Sequence, residues 1–200
     1  MKGRKKSLGL LVYALIAVVA LGVGYAAISN ITLYINGTAH ATPSQDNFVV
    51  EFSTTATNTI SSSPAAIASY DESANSGGKT EAYIDTTNDA TKRTAKFNLY
   101  GFTAKDQYAD VTFTVVNNSP DLKAKLCEAD ITVSGGSNST FTSVATLDSA
   151  SGDPACVVLN ANGGTTTITV RTTLNATPIS SGIDVTNLTV QFTASPETNS

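Results

Sequence analysis

An all-β fold, a sandwich or jelly roll in a single domain, is predicted for this 200-residue chain by three features. Apolar residues alternate with polar, mostly hydroxyl-bearing ones in run after run, the pattern of strands with one buried face. Short clusters of Gly, Asn, Ser and Pro close off each run. No amphipathic helix is patterned beyond residue 27, so strands spaced by about 10–15 residues must pack on one another, as in sandwiches.

The chain opens "MKGRKKSLGLLVYALIAVVALGVGYAA". Lys2, Arg4, Lys5 and Lys6 precede an uncharged apolar block at residues 8–23, and small residues follow, which is the layout of an export signal. The block is also long enough for a transmembrane helix, since about 18 apolar residues can cross the hydrocarbon core. Residues 1–27 are therefore expected to be a signal peptide or, if uncut, an anchor, with the rest of the chain outside the cell. Gly24 and Ala26 supply the small residues at −3 and −1 of a cut after Ala26, whereas a cut after Ala27 puts Tyr25 at −3.

Residues 28–41, "ISNITLYINGTAHA", form the next element. Ile31, Leu33 and Ile35 share one face of a strand and Thr32, Tyr34 and Asn36 the other, until Gly37 breaks it. An apolar strand at a free terminus either folds into its own sheet or pairs with an open edge of another subunit. Burying the three side chains would contribute roughly 5–9 kcal/mol gross, from about 1.5–3 kcal/mol each. Association and ordering offset much of that. A strand given to one neighbour and received from another makes a head-to-tail contact, which generates a filament unless it closes into a ring.

Residues 42–195 hold the strands of the domain. Phe48, Val50 and Phe52 share a face in "NFVVEFST", as do Val111, Phe113 and Val115 in "ADVTFTVVNN". Ile168, Val170 and Thr172 do so in "TTTITVRTTL", and Leu188, Val190 and Phe192 in "NLTVQFTA". Weaker strand patterns lie at 81–85, 94–100, 129–135, 141–147 and 156–160. Turn clusters separate them at 75–79, 117–121, 134–139, 151–154, 160–164 and 180–184. One or two helical turns are expected from Pro64 in "SPAAIASYDE", proline being favoured at the first helical position. The tail at 196–200 is polar and expected to fray.

About 170 residues follow the N-terminal segment, enough for one domain with a sizeable core. The sequence pI near 4.8 argues against a nucleic-acid partner. Cys127 and Cys156 are an even count in an oxidising compartment, which predicts one disulfide. Closing a loop of about 30 residues would stabilise the fold by roughly 3–4 kcal/mol in the chain-entropy model.

Catalytic chemistry is poorly provided for. The only histidine is His40, flanked by Ala39 and Ala41, so a Ser/His/Asp or Cys/His arrangement lacks its base in any active-site setting. Zinc hydrolysis lacks its converging ligands. Carboxylate pairs, Asp85 with Asp89 or Asp106 with Asp110, read as solvated loop acids. No cofactor is expected. A structural calcium ion has candidate oxygen ligands in Asp71 with Glu72, Asp106 with Asp110, and Asp148 with Asp153, none at the spacing of a known calcium loop. Six N-x-S/T sequons, at Asn30, Asn36, Asn117, Asn138, Asn175 and Asn187, are candidate N-glycosylation positions. Ordinary Thr-rich strand and turn chemistry explains them equally.

The order of "GVGYAA", "ISNITLYINGTAHA" and "DNFVVEFS" resembles the TasA/camelysin family of biofilm fibre subunits, including the related archaeal bundling-pilus subunits. "YADVTFTVVNNSPDLKAKLCEADITV" is similar to the family's region where a long core strand ends in Asn-Asn or Asn-Gly. The resemblance implies a jelly roll, signal removal near Ala26 or Ala27, and donation of the new N-terminal strand into the next subunit. Family cleavage tolerates a large residue at −3, which implies a cut after Ala27. The metalloprotease activity attached to the camelysin name finds no ligands here, and the cysteine pair departs from the bacterial fibre proteins.

The expected function is therefore non-enzymatic: a secreted subunit of a pilus or biofilm matrix fibre at the cell surface, polymerising by donor-strand complementation. Ile31, Leu33, Ile35 and Gly37 are its candidate donor residues. Val111, Phe113, Val115, Val190 and Phe192 are candidates to line the acceptor. Lateral bundling of filaments through Thr-rich outer faces is an expectation by analogy. The alternative is an anchored cell-surface or S-layer-associated sandwich that binds or adheres.

Overall fold

The computed structural model describes residues 47–71, 78–136, 140–152, 154–178 and 182–197. The signal, the donor segment, the cleavage residues Ala26 and Ala27, and His40 lie outside the described residues. Among the described residues twelve strands follow one another: β1 (Val50–Phe52), β2 (Thr59–Ser63), β3 (Glu81–Ile84), β4 (Thr94–Phe102), β5 (Tyr108–Asn117), β6 (Ala124–Cys127), β7 (Ile131–Ser134), β8 (Phe141–Leu147), β9 (Cys156–Leu159), β10 (Gly164–Leu174), β11 (Ile183–Phe192) and β12 (Ser195–Pro196).

All their pairings are antiparallel. The first sheet runs β1-β5-β10-β8, with β2 also on β5, and the second runs β3-β4-β11-β7. A small third sheet, β12-β6-β9, joins the chain's last described residues to its middle. The connections β2–β3, β4–β5, β7–β8 and β10–β11 pass from one large sheet to the other, so both sheets assemble from both halves of the sequence. The described residues form an all-β sandwich.

Period-two alternation places the core. Val111, Phe113 and Val115 of β5 and Ile168 and Val170 of β10 are fully buried on one sheet. Phe97 and Leu99 of β4 and Val190 of β11 meet them from the other. Phe52 joins the layers, its ring 5.5 Å from Phe113 and 4.9 Å from Phe192, the latter edge-on. Such tilted contacts suit the quadrupoles of aromatic rings. The strands with the strongest alternation are also the longest, because every second side chain removes apolar surface from water.

Several expectations need correction. Strand β2, "TISSS", has only Ile60 as an apolar residue and carried no apolar alternation; it forms because β5 offers it a ladder from Thr59↔Thr112 to Ser63↔Tyr108. Strand β6 likewise was not patterned. Its register with β9 ends at Cys127↔Cys156, the disulfide-bonded pair. The Pro64 segment makes the short run of hydrogen-bonded turns expected of it and does not extend into a longer helix, with the Ile67 amide donating to the Pro64 carbonyl, Ser69 to Ala65 and Tyr70 to Ile67. Ile67 is fully buried, so the turn serves as a plug. The tail does not fray from residue 196: Ser195 and Pro196 pair with Lys125 and Ala124, and the Glu197 amide donates to the Lys123 carbonyl.

Candidate functional site

An incoming strand needs an open edge, which only some strands offer. The expected acceptor residues do not. Val111, Phe113 and Val115 sit on β5, flanked by β1 and β2 on one side and β10 on the other; Val190 and Phe192 sit on β11, flanked by β4 and β7. All five are buried between the sheets. Central strands carry the strongest alternation, and for that reason they are already fully paired.

Among the described residues, strands β7 and β8 end their respective sheets and lie next to one another. On β8 the register decides which backbone groups face outward. Asp148 donates to the Thr167 carbonyl, so even-numbered residues bond toward β10 and odd-numbered ones point away. The outward Leu147 amide is capped by Glu128 Oε1 at 3.0 Å. The amides of Phe141, Ser143 and Ala145 have the same outward parity, and no described residue pairs with them.

The inward side chains along this edge are half-buried. Phe141 packs edge-on against Phe102 at 5.0 Å, Ser143 Oγ shares a hydrogen bond with Thr172 Oγ1 at 2.9 Å, and Ala145 follows. Ile131 and Val133 of β7 pack against the same core, also half-buried. The β7–β8 margin thus combines a row of outward amides with partly covered apolar side chains, the requirements for adding a strand. No sequence motif marks such a margin.

The outer face of the first sheet is a hydroxyl array. Thr59, Thr112, Thr169 and Thr146 are cross-strand neighbours in one row spanning β2, β5, β10 and β8. Thr112 Oγ1 and Thr169 Oγ1 share a hydrogen bond at 3.0 Å. In the next row Arg171 makes a two-pronged contact with Asp110, Nε at 2.7 Å and Nη2 at 2.6 Å, and its guanidinium lies 4.2 Å from the centre of the Tyr108 ring. Asp110 is therefore committed to an arginine. Asp106 bonds through its own amide to the Leu174 carbonyl at a left-handed turn position.

Asp85 and Asp89 belong to the loop between β3 and β4. Asp85 is buried, meets Lys96 Nζ at 2.6 Å and accepts from the amide and side chain of Asn88. Lys96 first and the Asn88 amide next hold its carboxyl down at about 2, against the ordinary 3.8. For Asp89, burial pushes the carboxyl up, but hydrogen bonds from Thr91, Thr94 and Arg93 outweigh it and leave it lowered. A general acid must hold a proton near neutral pH, and both groups are tuned the opposite way. They tie a hairpin loop together. An open, mostly polar depression of about 410 Å³ beside it is lined by Asn88, Asp89, Arg93, Gln191 and Thr193, but Asp89 is consumed by its own loop.

Among the described residues no three His, Cys, Asp or Glu side chains cluster closely enough to hold a metal ion. Glu72 and Asp153, partners in the other candidate calcium pairs, lie outside the described residues. Cys127 and Cys156 form a disulfide. It staples β6 to β9 near the Glu128 cap.

The sequons divide by strand parity. Asn30, Asn36 and Asn138 lie outside the described residues. Asn117, contrary to the expectation, is closed to a glycan: it is fully buried, and its Nδ2 donates to the carbonyls of Leu122, Leu159 and Asn160. A sugar on that nitrogen would have to displace the chain corner it holds. Asn175 is exposed at the end of β10, with Nδ2 donating to Thr142 Oγ1. Asn187 is exposed on β11. No family model, no curated protein and no solved structure matches the chain.

Proposed function

We propose that the chain is an exported, non-enzymatic structural subunit that polymerises head-to-tail into an extracellular fibre, the N-terminal strand of one copy pairing with an edge of the next. The observation that carries the reading is the β8 margin, where the outward amides of Phe141, Ser143 and Ala145 lie above half-buried apolar side chains. The segment at residues 28–41 has the matching chemistry: three alternating apolar residues and an early glycine stop. A jelly-roll description and a cut after Ala26 or Ala27 belong to the same proposal.

Lys and Glu are nearly absent from the outer face of the first sheet, whose threonine row is a surface along which filaments could lie side by side. The disulfide suits a subunit that must survive outside the cell. Pilus or biofilm matrix is the setting such a fibre serves.

Expression of residues 28–200 and 42–200 separately, with both imaged by electron microscopy, tests the proposal. Filaments from the longer chain alone support it; filaments from both refute donation. Edman sequencing of protein from its own cells separates the anchored surface module, which starts at Met1 or Lys2, from the released subunit.

A further inference from the structure

We infer that Asn187 is the acceptor of an N-linked glycan on the folded domain. It shares with the proposed fibre only the premise of export, since glycosyl transfer of this kind acts on exported segments and marks surface positions.

In Asn187-Leu188-Thr189 the strand pleat turns Leu188 inward, 3 % exposed, and leaves Asn187 and Thr189 on the outer face of the second sheet. Asn117-Asn118-Ser119 has the same spacing and the opposite parity: Asn117 and Ser119 are both fully buried. One structural variable, which face the pleat gives to positions 1 and 3, thus decides between a usable and an unusable sequon.

Asn187 also lies at a break in register. Between Val185↔Leu99 and Leu188↔Phe97 the β11 strand carries an extra residue, a β-bulge. Its φ is +57°, in the left-handed region that asparagine tolerates better than most residues. The bulge is held from both sides. Its amide donates to Asn98 Oδ1 at 2.8 Å, and Gly135 approaches so closely that a Cβ there would stand 2.0 Å from the Asn187 carbonyl oxygen. The backbone is fixed, while the side-chain nitrogen has no partner among the described residues.

Transfer from a lipid-linked glycosyl phosphate balances simply. Asn187 Nδ2 forms a bond to the sugar's C1, the C1–O bond to phosphate breaks, the phosphate leaves with the electron pair, and the amide gives up one proton. The product would place a sugar chain over Asn98, Lys96 and Tyr83 on the same outer face, leaving the threonine face of the other sheet bare.

The test is mass spectrometry of protein taken from its own cells and digested on the N-terminal side of aspartates. That cut separates residues 184–200, carrying Asn187, from residues 153–183, carrying Asn175. The expected result is a mass increment of whole sugar residues on 184–200, localised to Asn187 by fragmentation. An unmodified 184–200 peptide overturns the inference. Thr189→Val keeps the asparagine and removes the hydroxyl that the sequon requires; the increment must then vanish while the melting temperature holds, and its survival overturns the sequon assignment. Filaments from residues 42–200 would sink donor-strand exchange and leave the increment untouched, so the two readings fail separately.

Discussion

Asn117 Nδ2 donates to the Leu122 carbonyl at 2.8 Å, bridging the end of β5 to the approach to β6. The same nitrogen also reaches the carbonyls of Leu159 and Asn160 at the end of β9. Its Oδ1 accepts from the Ser119 amide, and Ser119 Oγ accepts from the Val49 amide beside β1. One buried amide therefore links the ends of β5 and β9 and the approach to β6.

Asn117→Ala should be among the most damaging single changes. It removes the side-chain donor from the buried Leu159 carbonyl and from the half-buried Leu122 carbonyl, at about 1–3 kcal/mol for each group left uncompensated. A net loss of about 3 kcal/mol should lower the melting temperature by roughly 6–12 °C for a domain of this size. A melt within 2 °C of the parent, by the same scaling, would show that water replaces the side chain.

Removal of the disulfide by the double change Cys127→Ala and Cys156→Ala should cost about 3 kcal/mol, the loop being 29 residues in sequence separation. Denaturant titration reads it as a lower midpoint with little change of slope. Because the bond joins two strands of the small third sheet, amides of β6, β9 and β12 should lose hydrogen-exchange protection before those of β5 and β10.

The Asp85–Lys96 pair sets a pH dependence. The carboxyl is lowered from 3.8 to about 2 in the folded chain, so its contribution is full above the unfolded value and is lost as pH falls from about 4 toward 2. Lys96 is raised above its ordinary 10.5 by Asp85, so its share persists below that value and is lost as pH climbs past it. Asp85→Asn should flatten the acid side of the melting profile relative to the parent. Parallel profiles for the two proteins would contradict the assignment.

Ser143→Pro probes the β8 edge without touching the β10 ladder, since the Ser143 amide points outward. The domain should still melt cooperatively, with a modest loss from the Thr172 hydrogen bond. Filament formation by residues 28–200 should stop. Normal filaments from this variant would move the acceptor elsewhere, β7 being the adjoining edge.

Much of the sandwich was legible in the residue order. "ADVTFTVV" and "TTTITVRTT" announce strands because a period of two can bury only one face, and Val111, Phe113, Ile168 and Val170 are buried as that pattern requires. The disulfide followed from an even cysteine count. Strands β2 and β6 were not legible, because the ladder that holds them is supplied by β5 and β9 and leaves no trace in their own side chains.

By itself, the sequence determined the class of fold, the faces of the long strands and the cysteine pair, all consequences of local periodicity and composition. Only the tertiary structure decided which strands are edges, that the expected acceptor residues lie in the middle of their sheets, and that Asn117 is buried while Asn187 is exposed. Those facts depend on which strand becomes whose neighbour. Neighbours are chosen across separations as long as the 97 positions from Thr94 to Gln191, a distance over which a two-residue period carries no information.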